Sequence, residues 1–297
     1  MSSRCLYADN GVKLALSTGW QPNATIKDPL FAARRHNVGI EVHRLSSEQE
    51  LADLLLLVRE YSIPLSSIHA VLDQYHCTPD NCAGDDISSA DHRRRTTALE
   101  HLKRTIDFAE TNKVPCVVVH VGKEHESSKA LSTSKQQSVL GSSSPGPVRA
   151  DTLDRLFASL EYLSRYQSAT TLAIENQRLP SAVPTPDELA LVLSATHPAR
   201  VGFWYDIAHA RAFARSTGVP REVWLKTAGS RLLGCHVQDS CSKGREHLPI
   251  GFGDDVIDRS TVPRAPRLVL EVSSDHTTES VEESLLQLKH LQNSGVE

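Results

Sequence analysis

Six short apolar runs in this 297-residue chain lead directly into a residue that can bind a metal or move a proton. SSIHA carries His69, CVVVH ends on His120, LAIE on Glu175, GFWYD on Asp206, LLGCH on His236 and RLVLE on Glu271. A core strand gains nothing by ending this way, because an unpaired ionisable group at the edge of an apolar interior costs several kcal/mol. Six such endings therefore point to one shared site. Glu175 and Glu271 follow runs rich in Leu, Ile and Val, and a divalent cation is the simplest common partner for carboxylates in such positions. Asp206 and His236 complete a set of two Glu, one Asp and one His. Oxygen-rich ligation with one imidazole suits Mn²⁺, Mg²⁺ or Co²⁺ better than a closed structural zinc site does.

Further histidines keep company with this set. His209 lies three residues after Asp206 in YDIAH, so a helix starting there turns both side chains toward one pocket. His247 sits in HLPIGFGDD, where Pro249, Gly251 and Gly253 shape a loop able to present an imidazole. His69 and His120 are open to two readings, as ligands or as neutral core histidines bonded to backbone carbonyls.

The elements that must position these residues follow from the spacing. Glu175, Asp206, His236 and Glu271 recur at intervals of about thirty residues, the length of one strand-plus-helix unit. DELALVLSATH and REVWLKTAG, which fall between them, read as helices. Repetition of strand and helix implies a parallel sheet whose strand C-termini share one face. Candidate strands begin at 14, 38, 66, 115, 171, 201, 232 and 267, and ESVEESLLQLKHLQ supplies a closing helix. Eight units predict a single α/β domain spanning 1–297, a (β/α)8 barrel with its chemistry at the C-terminal face of the strands. An open doubly wound sheet needs a Gly-rich turn after its first strand, and STGWQPNAT is not one.

Composition bounds the function. With 39% apolar residues the chain can bury a large core. A net charge of −4 and the lack of a basic tract argue against a sequence-independent grip on nucleic acid. Arg93, Arg94 and Arg95 read as the solvated face of an amphipathic helix. MSSRCLYADN lacks the apolar region of a signal peptide and no run is long enough to span a membrane, so a cytoplasmic protein is expected. Cys116 and Cys235 sit inside strands as small hydrophobes, while Cys77 and Cys82 lack zinc-ribbon spacing and leave a local bridge open. Residues 123–150, rich in Ser, read as a flexible insertion after the fourth strand, either a plain loop or a lid.

IENQ at 174–177, VGFWYDIAHA at 201–210, HVQDS at 236–240, HLPIGFGDDVID at 247–258 and LVLEV at 268–272 resemble segments of the xylose-isomerase-like barrel superfamily. That superfamily holds sugar and sugar-phosphate isomerases and epimerases, and also three-zinc apurinic-site endonucleases. In the first branch the resemblance implies one metal on Glu175, Asp206, His236 and Glu271, with Glu175 and Glu271 as a base and acid pair around a metal-stabilised enediolate. A lyase or dehydratase acting on a keto-sugar would use the same machinery. In the endonuclease branch His69, His120, Glu175, Asp206, His209, His236, His247 and Glu271 match eight zinc-ligand positions. The ninth, an Asp two residues before the last His, is replaced here by Arg245, and Glu246 adjoins it. The missing ligand and the charge favour small-molecule carbohydrate chemistry over DNA. The resemblance is compatible with a homo-oligomer. Trp20, Phe203, Trp204 and Tyr205 are candidates to stack on a sugar ring or to pack in the core.

Overall fold

The computed structural model describes residues 13–72, 86–122 and 147–293. Its strands are β1 (Leu14–Ser17), β2 (Gly39–Val42), β3 (Leu65–His69), β4 (Cys116–Val119), β5 (Thr171–Glu175), β6 (Val201–Asp206), β7 (Leu232–Val237) and β8 (Leu268–Leu270). All pair in parallel with their sequence neighbours, and β8 returns to β1 to close the barrel. Each strand begins within one residue of the position expected from the sequence. The helices are α1 (Lys27–His36), α2 (Glu48–Glu60), α3 (His92–Thr111), α4 (Pro147–Ser164), α5 (Pro186–Ala195), α6 (Ile207–Thr217), α7 (Glu222–Ala228) and α8 (Thr278–Asn293).

Local chemistry explains where the helices start. Thr185 and Glu188 form a reciprocal capping box on α5, with Pro186 in its first turn. Asp91 caps α3 by accepting from Arg93 N and Arg94 N. On α3 the Arg93 and Arg94 side chains are exposed, as expected for a solvated face, and the Arg95 guanidinium donates to Ser89 O. Residues 123–146 of the expected insertion, and Cys77 and Cys82, lie outside the described residues. Its last four positions are helical. The expected boundary at 150 was late because Pro147 is compatible with a first helical turn and the apolar periodicity emerges only after it.

Two apolar regions hold the barrel together. The larger packs strand residues such as Leu16, Ile40, Val117, Leu172 and Phe203 against the surrounding helices. The smaller comprises Ala15, Cys116, Val118, Ala173, Trp204, Leu233 and Val269, all buried. Trp204 fits among these strands because Gly234 leaves it room. A Cβ at Gly234 would lie 2.2 Å from Trp204 Cζ3. Trp20, Phe203, Trp204 and Tyr205 are each at most 1% exposed, so none stands free to stack on a ligand. Packing explains all four, with Trp20 Nε1 also donating to His276 O at 2.9 Å.

Candidate active site

The C-terminal strand ends bring the predicted residues together. Glu175 ends β5, Asp206 ends β6, His236 lies on β7, and Glu271 directly follows β8. These four are at most 5% exposed. His236 Nδ1 is 3.0 Å from Glu175 Oε1, 3.5 Å from Glu271 Oε2 and 3.9 Å from Asp206 Oδ2. Three carboxylates thus converge on one ring nitrogen, and their ion-pair partners among the described residues are all imidazoles. That donor set fits a divalent cation in charge and chemistry.

His69 and His120 join the same site. Their Nε2 atoms lie 3.2 Å and 2.7 Å from Glu175 Oε2, the oxygen that does not face His236. His209 comes from the first turn of α6. Asp206 caps that helix, accepting from His209 N at 2.7 Å, and His209 Nδ1 lies 3.6 Å from Glu175 Oε1. Metal-sized groupings therefore exist at Asp206, His236 and Glu271, at His69, Glu175 and His236, and at His120, Glu175 and His209.

The loop after β7 delivers His247. Its backbone has φ +60°, the left-handed region, where histidine is uncommon. The backbone is clamped there: His247 N donates to Gln238 Oε1 at 2.6 Å and its carbonyl accepts from Ser273 N at 2.9 Å. The ring then lies with Nδ1 3.8 Å from Glu271 Oε2. Arg245 is exposed, and its guanidinium pairs with Asp275. Glu246, by contrast, is nearly buried and accepts from Arg178 Nη1 at 3.0 Å.

Four contributors were not anticipated from the sequence. Glu41 on β2 is fully buried and accepts from His236 Nε2 at 2.9 Å and from Ser67 Oγ at 2.7 Å. His43, just beyond β2, stacks on His69 with ring centroids 4.3 Å apart and places Nδ1 3.3 Å from Glu271 Oε1. Gln238 donates to Asp206 Oδ2 at 2.6 Å. Asn176 bonds the main chain of Asp206 and accepts from His209 Nδ1 at 3.0 Å through its carbonyl. A signal existed for Glu41. In GIEV it is flanked by Ile40 and Val42, and strand alternation sends it to the opposite side from both.

Electrostatics in the metal-free site follow from crowding. Burial alone would depress His236, but Glu41, Glu271 and Glu175 outweigh it and hold its pKa well above the ordinary 6.5. His69 is likewise raised to about 9, burial being overcome by the hydrogen bond and charge of Glu175. His209 is raised against burial by Asp206 and Glu175. His43 moves the other way: burial, then the charge of His69, push it to about 4. Glu175 and Glu271 stay well below the usual carboxylate range although burial opposes this, because His236 leads a set of neighbouring imidazoles that favour the anion. Protonated imidazoles thus supply the positive charge that the clustered carboxylates require.

A family described as xylose isomerase-like TIM barrel matches residues 32–263. Among solved structures, a D-tagatose 3-epimerase-like protein superposes with a TM-score of 0.67 at 18% identity, covering 95% of this chain and 98% of that one. An L-ribulose 3-epimerase gives 0.66 at 15% identity, with 94% of each chain covered. A Thermus thermophilus protein soaked with ZnCl2 gives 0.62 at 24% identity, covering 96% of this chain and 99% of that one. No curated protein matches the chain. Among the described residues, no helix is long and apolar enough to cross a membrane.

Proposed function

The chain belongs to the xylose isomerase-like TIM barrel family, and on that premise we propose that it is a divalent-metal-dependent isomerase or epimerase of a ketose or keto-sugar, free or phosphorylated. The observation that carries this reading is the placement of Glu175 and Glu271, two buried carboxylates that both reach His236 Nδ1, at 3.0 Å and 3.5 Å. Glu175, Asp206, His236 and Glu271 would hold the cation. When bound, it supplies an electrophile that polarises a carbonyl and lowers the cost of negative charge beside it. One of the two glutamates removes the proton from the carbon next to the carbonyl, and the other returns a proton. His69 and His120 hold the second oxygen of Glu175, and His43 holds that of Glu271, so each carboxylate is oriented before substrate arrives. Sugar epimerases among the structural neighbours support this substrate class. A lyase on a keto-sugar would share the first proton transfer and differ in the leaving group.

One observation favours a second reading, zinc-dependent phosphodiester hydrolysis at an abasic site. Glu175 spans His236 on one oxygen and His69 with His120 on the other, an arrangement that can bridge two cations. Against it stands Arg245, a cation where a ninth ligand is expected, paired with Asp275 in an exposed contact. The experiment is metal analysis of the purified protein, followed by incubation of the Mn²⁺, Mg²⁺, Co²⁺ and Zn²⁺ forms with ketoses and their phosphates in deuterated water. Deuterium incorporation at the carbon beside the carbonyl supports the first reading. Inert sugars together with cleavage of abasic DNA by a form holding two or three zinc ions would replace it with the second.

A further inference from the structure

We propose that Glu41 is a positioning residue that fixes the ring of His236, keeping the proton on Nε2 and presenting Nδ1 to the cation held by Glu175, Asp206 and Glu271. The proposal rests on the metal-site reading above and adds to it the residue that selects which ring nitrogen faces the metal. Glu41 is fully buried, and its only ion pair among the described residues is the 2.9 Å contact with His236 Nε2. Its second oxygen accepts from Ser67 Oγ at 2.7 Å. Both oxygens are therefore engaged, and they lie at the opposite edge of the imidazole from the three converging carboxylates. Glu41 is thus placed to orient a ligand and not to be one.

Strand register builds this arrangement. Ser17, Glu41 and Ser67 are neighbours across β1, β2 and β3, so a small side chain stands on each side of the carboxylate. His236 must cross the barrel interior from β7 to reach it. The ring also lies 5.2 Å from Trp204 and 5.6 Å from His69 by centroid, in a space where it has rings on two sides. Packing of that kind limits the ring's position but does not decide which of its two nitrogens carries the proton, a choice set by their hydrogen-bond partners. Glu41 supplies the distinction: one oxygen faces Nε2 at 2.9 Å while the other already accepts from Ser67 Oγ, so the ring N–H is the donor at that edge. A ligating histidine with its other N–H given to a carboxylate is better oriented and more basic, and losing such a partner typically weakens metal affinity about 10- to 100-fold.

The test is calorimetric titration of Zn²⁺ into the metal-free full-length protein and its Glu41→Ala, Glu41→Gln and Asp206→Ala variants, with thermal unfolding of each. Gln can still accept from Nε2 through its amide oxygen while donating to Ser67, so it reports on positioning separately from charge. The expected result is binding weakened about 10- to 100-fold in Glu41→Ala and mostly restored in Glu41→Gln. Nitrogen-resolved NMR of the zinc form should show the His236 proton on Nε2. Wild-type affinity in a folded Glu41→Ala variant, equal weakening in the two Glu41 variants, or zinc on Nε2 would each overturn the proposal. Should Glu41→Ala fail to fold, near-wild-type binding by Glu41→Gln together with the NMR assignment supports it, and strong weakening in Glu41→Gln overturns it. Wild-type binding that Asp206→Ala leaves untouched would instead overturn the metal-site reading on which it rests.

Discussion

The side chain of Asn176 forms with the main chain of Asp206 the two hydrogen bonds that a neighbouring strand would otherwise supply. Its Nδ2 donates to Asp206 O at 3.0 Å and its Oδ1 accepts from Asp206 N at 2.7 Å. Both residues are fully buried. Asn176→Leu removes both partners, and each buried backbone group left unsatisfied costs roughly 1–3 kcal/mol. Urea unfolding of the metal-free protein should show a clear loss of stability. An unchanged midpoint would mean that the backbone of Asp206 is held by other contacts.

Substituting Glu175 or Glu271 by Gln should abolish turnover while the protein stays folded, since shape is kept and only the ability to exchange a proton and to carry charge is lost. Solvent-deuterium exchange into substrate reads the first half of this expectation and circular dichroism the second. Near-normal exchange in both variants would contradict the assignment of the two carboxylates as proton carriers.

In the metal-free protein, stability should peak close to pH 6.5. His69, raised to about 9, contributes fully below its unfolded value of 6.5, and that contribution is lost as pH rises through 9. His43, depressed to about 4, contributes fully above 6.5, and its share is lost as pH falls through 4. The depressed Glu175 and Glu271 add to the acid-side loss. Denaturant midpoints measured across this range test the shape, and a monotonic rise toward pH 9 would be incompatible with it.

Cation binding at pH 7 should release protons, because His236 is held protonated in the metal-free site and must give up its Nδ1 proton to become a ligand. Affinity should accordingly increase with pH. Titrations in buffers of different ionisation enthalpy measure the number released, and heats independent of buffer would argue that His236 does not bind the ion.

Gly253→Ala should disturb the loop that carries His247. A Cβ there would lie 2.2 Å from Asp239 Oδ1 and 2.5 Å from Ser240 O. Asp239 uses its carboxylate to gather the N–H groups of Ser240, Gly251 and Gly253, so the intruding methyl meets the anchor of the loop. Overpacking of this kind costs about 1–3 kcal/mol. Thermal unfolding checks the loss, and a neutral result would show that the loop can shift without consequence.

The barrel and six of the site residues were legible in the sequence because parallel strands buried on both faces produce apolar runs, and a polar residue ending such a run stands out. His209 and His247 were legible through their local motifs. Glu41 and Gln238 were harder to see, since neither ends an apolar run: one lies within β2 and the other follows His236 by two residues on the same side of the strand. Arg245, which stands where the resemblance expects a ninth ligand, follows the turn at Gly244, with φ +84°, and pairs with Asp275 in an exposed contact.

The packing of Trp204 over Gly234 plugs the barrel interior beneath the clustered polar residues. With Ala15, Cys116, Val118, Ala173, Leu233 and Val269 beside it, the indole occupies the barrel below the polar residues. For the function proposed above, that plug closes any route through the barrel axis, so reactant would enter and product leave at the C-terminal face of the strands.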